Sequence, residues 1–187
     1  MTAITPLPHA GFTAMPWRNG AGTTHEIAVD PGDDRAVPFR WRLSMADLAG
    51  DGPFSVFPGV DRVLLLLAGE HVALRIDGAP PVPLVEGVPL AFPADVPTEL
   101  TMASAQGRDL NLMWDRARVA ATMVVVEAGA EVPCGDCTIA VALAPDTAIE
   151  IDDATAALGL HDAVRADGAT RARLTAGRAA VVRIDAR

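Results

Sequence analysis

The chain has no tyrosine, four histidines, two cysteines and only 4% aromatic residues among its 187. Each shortage closes a route. The lack of tyrosine removes one common acid/base side chain. Cys134 and Cys137 are the only thiols. As a lone C-x-x-C they lack the second ligand pair that zinc wants and the βαβ context of a redox motif, so packing or a turn is their expected role. The longest apolar run, "VLLLLA" at 63–68, is far too short to span a bilayer. The opening "MTAITPLPHAGF" lacks a basic stretch followed by an apolar one, so no export signal is expected and a reducing cytoplasm is the expected compartment. No basic cluster offsets the net charge of −9, and the arginines are scattered among acids. Nucleic acid and anionic membranes are therefore not expected partners. Nucleophile elbow, phosphate loop, dinucleotide fingerprint and zincin motif are all missing.

What is present is alternation. Half of the residues are hydrophobic, enough to bury a core without disulfides or metal staples. In "FRWRLSMA", Phe39, Trp41, Leu43 and Met45 alternate with Arg40, Arg42, Ser44 and Ala46, the pattern of a half-buried strand. "VALRID" and "DLNLMWD" repeat it, whereas "VLLLL" reads as a strand covered on both faces. Six prolines between residues 80 and 97 exclude a helix there. Short strands separated by Gly/Pro turns predict an all-β sandwich or barrel. After about residue 117 the texture becomes Ala/Val-rich and plainer. Two β units are expected, residues 1–118 and 119–187, with "DDATAALGL" open to a short helix.

Four stretches carry a resemblance. "MPWRNGAGTTHEIA", "FRWRLSMADLAGDGPFSVFPGVDRVLLLLAGE", "LAFPADVP" and "DLNLMWDR" resemble, in order, the HutD/Ves family of bacterial bicupins. The resemblance implies two cupin-type β barrels packed together, the second of them without a diagnostic string of its own. Metal-binding cupins hold their ion with two His and a Glu on one motif and a His on a second. Here "DGPFSVFPGVDR" contains no histidine, and Thr98 stands where the second motif tends to show one. The expectation is a barrel that kept its cavity and binds no metal and no other cofactor.

The candidate ligand-binding residues fall in the first unit. Trp17 and Asn19, in a loop with Gly20 and Gly22, offer a flat wall and an amide to a pocket lid. In "TTHEIAV" His25 and Glu26 must point to opposite faces; Glu26 is the site candidate and His25 is expected to pack. Arg42 and Ser44 occupy the polar face of an otherwise apolar strand. If that face points inward, Arg42 needs a counter-charge from Glu26, Asp61 or an anionic ligand. If it points to water, Arg42 is a surface residue. Asp61 and Arg62 follow a Pro-Gly turn, and Asn111, mid-strand with Asp109 and Met113 on its face, stands against strand propensity. Arg116 completes the set as a further carboxylate-gripping arginine.

Three function classes follow. The first is a small-molecule-binding or regulatory protein. The HutD side of the resemblance implies a link to histidine utilisation, with a small carboxylate such as urocanate or formylglutamate as ligand. The Ves side implies a stress-associated role. The second is a metal-independent cupin isomerase or lyase working through Glu26 with Arg42, or Asp61 with Arg62. The third is an interaction protein, whose plain C-terminal unit would serve as a docking or homodimer surface.

Overall fold

The computed structural model describes residues 2–17, 22–32 and 37–187. Apart from one 3-10 turn at His9–Gly11, its regular structure is strand. The first part of the chain forms β1 (Ile4–Leu7), β2 (Thr13–Pro16), β3 (Gly22–Asp30), β4 (Trp41–Leu48), β5 (Gly52–Pro53), β6 (Val60–Ala68), β7 (Ala73–Ile76), β8 (Val82–Pro83), β9 (Leu90–Pro93), β10 (Thr98–Thr101) and β11 (Gly107–Asp115). The remainder forms β12 (Val119–Glu127), β13 (Glu131–Pro133), β14 (Cys137–Ala142), β15 (Thr147–Ile151), β16 (Ala154–Leu158), β17 (Ala163–Asp167), β18 (Arg171–Ala176) and β19 (Arg178–Ala186). The chain divides into two compact units, residues 13–119 and residues 1–12 with 120–187.

In the unit of residues 13–119, two antiparallel sheets form among the described residues, in the orders β2-β3-β4-β11-β6-β9 and β5-β10-β7-β8. The register between β4 and β11 sets Ser44 opposite Asn111 and Arg42 opposite Met113, and β6 then sets Leu64 opposite Asn111. Directly paired residues share a face. The polar residues of β4 and β11 therefore lie on the same face as Leu64 and Leu66, which pack with Leu74 and Leu100 of the other sheet. The alternation in "FRWRLSMA" is thus inverted relative to a surface strand. Leu43 and Met45 are fully buried on one face, and Ser44, on the other, is only 3% exposed.

The second unit pairs β1-β17-β14-β19-β12 and β13-β18-β15-β16. Its core is built largely from small side chains such as Ala140, Ala142 and Ala172, filled out by Ile149, Leu174 and Val181. Two features differ from the sequence reading. The N-terminal residues do not stay with residues 13–118: β1 pairs antiparallel with β17, Ile4 opposite Ala166. The β1 strand lies at the sheet edge, where Pro6 is tolerated because its missing N–H can face away from the ladder. Asp153 and Asp162 pin this segment by accepting hydrogen bonds from the Thr2 and His9 amides, each at 2.8 Å. The alanine-rich "DDATAALGL" is a strand, β16, because pairing with β15 over Thr147–Ile151 overrides alanine's helix preference. Cys134 and Cys137 are buried free thiols, and burial pushes Cys137 up to about 12, so it stays protonated at neutral pH.

Leu64 is fully buried at the centre of the first unit's core. Leu64→Ala is expected to lower the unfolding free energy by about 2–5 kcal/mol, measured by urea denaturation.

Candidate functional site

Local sequence builds the site from three directions. Phe57-Pro58-Gly59-Val60 closes a tight turn, Val60 N–H donating to Phe57 O at 3.2 Å. Gly59 supplies the positive φ of 77° that the turn demands after Pro58. The turn launches β6 with Arg62 facing inward. Short β5, pairing with β10, delivers Phe54, whose amide donates to Thr98 O at 2.9 Å. On β11, Arg108 and Asp109 are successive residues in unbroken register with Asp47 and Ala46 of β4, so their side chains point to opposite faces. Arg108 turns to Asp47 at 2.7 Å, and Asp109 turns into the barrel.

There the sheets enclose a cavity of about 520 Å³. Its polar floor comes from Arg42, Ser44, Arg62, Asp109 and Asn111, and its walls include Trp17, Phe54, Phe57 and Met113. Trp17 is fixed there because its indole N–H donates to Thr24 Oγ1 at 2.8 Å. Gly22 makes room for the ring: a Cβ at that position would lie 3.0 Å from the indole and collide with the Asp47 carbonyl.

The floor's charges are unevenly matched. Arg42 Nε lies 2.9 Å from Glu26 Oε2, an ion pair too bent to be a hydrogen bond. Arg62 is 3% exposed, and its Nε has no partner. Among the described residues its guanidinium donates only to the Met113 sulfur at 3.3 Å, and it lies over the rings of Phe54 and Phe92, 4.8 and 5.7 Å from their centres. Burial lowers Arg62 to about 10, with Arg42 adding to the fall and Asp109 opposing it. It is still a cation at neutral pH. Asp109 is 1% exposed, and its Oδ1 meets no donor. Burial raises it from 3.8 to about 7 even though Arg62 pulls it down, and Asp47 adds to the rise.

The expected site residues separate into groups. Trp17, Arg42, Ser44, Arg62 and Asn111 converge on the cavity. Glu26 does not line it and stands behind Arg42 as its counter-charge. Asp61 and Arg116 lie elsewhere: Arg116 Nε is 2.9 Å from Asp61, its Nη1 is 2.7 Å from Asp95 and its Nη2 donates to Val60 O. Adjacent strand residues point to opposite faces, so Asp61 could not accompany Arg62. Asn19 falls outside the described residues. His25, on the face opposite Glu26, bonds Asp47 at 2.8 Å. The sequence reading passed over Asp109, Thr24, Phe54 and Phe57 as site residues. Asp109 shares the polar face of "DLNLMWD" with Asn111, and that period of two was the signal that could have found it.

A resident divalent cation does not fit this donor set. Among the described residues the floor offers two guanidiniums, which repel a cation, against a single lining carboxylate that burial holds toward its neutral form. Among the described residues no three His, Cys, Asp or Glu side chains gather as a metal would require.

Asp109 also makes stability depend on pH. Its folded value is raised, so between about pH 4 and about 7 the fold binds more protons than the unfolded chain. Stability relative to Asp109→Asn is fullest below about pH 4 and falls by roughly a few kcal/mol as pH climbs to about 7. Urea unfolding of both proteins across that window checks the sign; a difference that stays flat, or grows in favour of the parent, contradicts it.

The comparisons agree with this architecture. The HutD family model matches residues 9–183. An uncharacterised 21.2 kDa protein in the hutC 3′ region of Pseudomonas putida is 30% identical over 90% of this chain and 89% of its own length. Protein Ves of Citrobacter koseri is 42% identical over 59% of this chain, a match that spans 58% of that protein. The structure of HutD from Pseudomonas fluorescens SBW25 superposes with a TM-score of 0.87 at 28% identity, covering 99% of this chain and all of that one. A cupin 2 conserved barrel domain protein from Leptotrichia buccalis shares the fold alone, at a TM-score of 0.58 and 11% identity over 89% of each chain. Among the described residues no helix is long and apolar enough to cross a membrane. This all-β bicupin, with its arginine-floored barrel, belongs to the HutD family.

Proposed function

We propose that this protein is a small-molecule-binding or regulatory component linked to histidine utilisation in the cytoplasm, and that its N-terminal barrel takes a small carboxylate such as urocanate or formylglutamate. One observation carries the reading: Arg62 is a buried cation on the cavity floor with no carboxylate at ion-pair distance among the described residues. Leaving such a charge without a close anion is costly, and a carboxylate is the planar acceptor that a guanidinium fork matches. Arg42 and Ser44 give the floor a second polar region, and the Trp17, Phe54 and Phe57 rings suit a planar or partly apolar body. The genetic words in the relatives' names, HutD and the hutC 3′ region, support the histidine connection.

Calorimetry of the whole chain with urocanate and with N-formylglutamate should give saturable heat and a matching rise in Tm. Arg62→Met should weaken binding by about 10- to 100-fold while leaving the fold intact. No heat and no Tm shift at millimolar ligand would overturn the reading.

A second reading, a metal-independent isomerase or lyase, draws on one observation. Asp109 is a cavity carboxyl that titrates near neutrality, the range suited to a general acid or base. Glu26 is committed to Arg42, and Asp61 is paired with Arg116 away from Arg62, so Asp109 replaces both as the acid/base candidate. Chemical conversion of either ligand during the same incubations, followed by NMR, decides for catalysis.

A further inference from the structure

The charges around Asp109 can be named strand by strand. From β6 comes Arg62, the cation that acts on it. From β4 comes Asp47, which repels it and is itself held by His25 at 2.8 Å and Arg108 at 2.7 Å. Arg42, also on β4, is occupied by Glu26 of β3. The cavity-lining residues of the 53–57 segment are Pro53, Phe54, Ser55 and Phe57, none of them charged. The opposing sheet adds apolar Leu74 and Leu100 to the core beside it. Among the described residues, one cation without an ion-pair partner therefore serves one buried anion.

An anionic ligand arriving at Arg62 meets that arrangement as a competitor. Two carboxylates sharing one guanidinium in a poorly solvated site do not both stay ionised at little cost. The ligand keeps its charge, because it is the more solvated of the two and its own carboxyl is the stronger acid. Asp109 is the group that yields.

Resting on the carboxylate-binding reading above, we propose that the barrel binds an anion together with one proton: the ligand carboxylate takes over Arg62, and Asp109, released as its counter-charge, accepts a proton from solvent. Asp109 is then a specificity-determining residue that need not touch the ligand. It makes affinity follow hydrogen-ion concentration as well as ligand concentration. The proton balance is closed by the buffer, which loses one proton for each ligand bound. The raised Asp109 value places this exchange near neutral pH.

The test is calorimetry of N-formylglutamate binding to the whole chain at about pH 6 and about pH 8, each in two buffers of different ionisation heat. The ligand's carboxyls titrate near ~4 and stay ionised throughout. At about pH 8 the buffer dependence should report uptake of close to one proton, falling toward zero at about pH 6. Affinity should be about tenfold weaker at the higher pH. Asp109→Asn should bind about tenfold more tightly than the parent at about pH 8, with no proton uptake at either pH. Equal heats in the two buffers at about pH 8, with affinity independent of pH, overturn the proposal and leave the carboxylate site standing. Uptake that persists in Asp109→Asn assigns the proton to another group, such as His25, and also overturns it. Failure to bind at both pH values removes the carboxylate reading, and this proposal falls with it. If Asp109→Asn does not fold, the buffer pair on the parent protein decides alone.

Discussion

A guanidinium buried with no close carboxylate among the described residues is the constraint around which the N-terminal barrel is organised. Arg62 must reach the barrel interior because its neighbours on β6 fix the strand's phase: Leu64 and Leu66, two and four residues on, belong to the inter-sheet core. Once inside, it is supported by a sulfur, two ring faces and a distant carboxylate rather than by a salt bridge. Those supports keep the cation from water without using up its hydrogen-bonding fork. A fork left in that state is the feature on which the proposed carboxylate site rests.

Around this centre the chain places its other charges in two tiers. Arg42 with Glu26, and Asp47 with His25 and Arg108, are closed pairs that fix the strands β3, β4 and β11 side by side. Arg62 and Asp109 form an open pair whose members act on each other electrostatically but do not bond. Closed pairs give the sheet rigidity; the open pair leaves unspent interaction free energy in a cavity. A binding site built on rigid strands holds its geometry better than one built on loops. Here the floor is all strand, and the walls include Trp17, Met113 and the 53–57 segment.

The second unit has the same two-sheet plan without such a floor. Its described core is alanine, valine, isoleucine and leucine with buried cysteine, and its buried thiol at Cys137 is held protonated. A small pocket of about 40 Å³ in that unit is lined by Glu131, Glu150, Asp152, Arg171 and Arg173. The contrast fits a bicupin in which one barrel has kept a polar interior.

How much of this could be read beforehand differs residue by residue. Alternation in "FRWRLSMA" and "DLNLMWD" was enough to define β4 and β11 and to group Arg42 with Ser44 and Asn111 with Asp109, because side chains on a strand change face at every step. A period of two is silent about which face is inside, however. Only the packing of β5, β7, β8 and β10 over the sheet turned the polar face into a cavity floor. The opposite outcome for Asp61 and Arg116, which pair with each other, rests on contacts between residues 55 positions apart in the chain that no local pattern encodes. The joining of Ile4–Leu7 to β17 and the strand at Ala154–Leu158 have the same origin. Residue chemistry and spacing determined which side chains could act together on one strand; long-range strand pairing decided which of them share an interior, since register and sheet stacking are set by the whole chain's burial and not by any one segment.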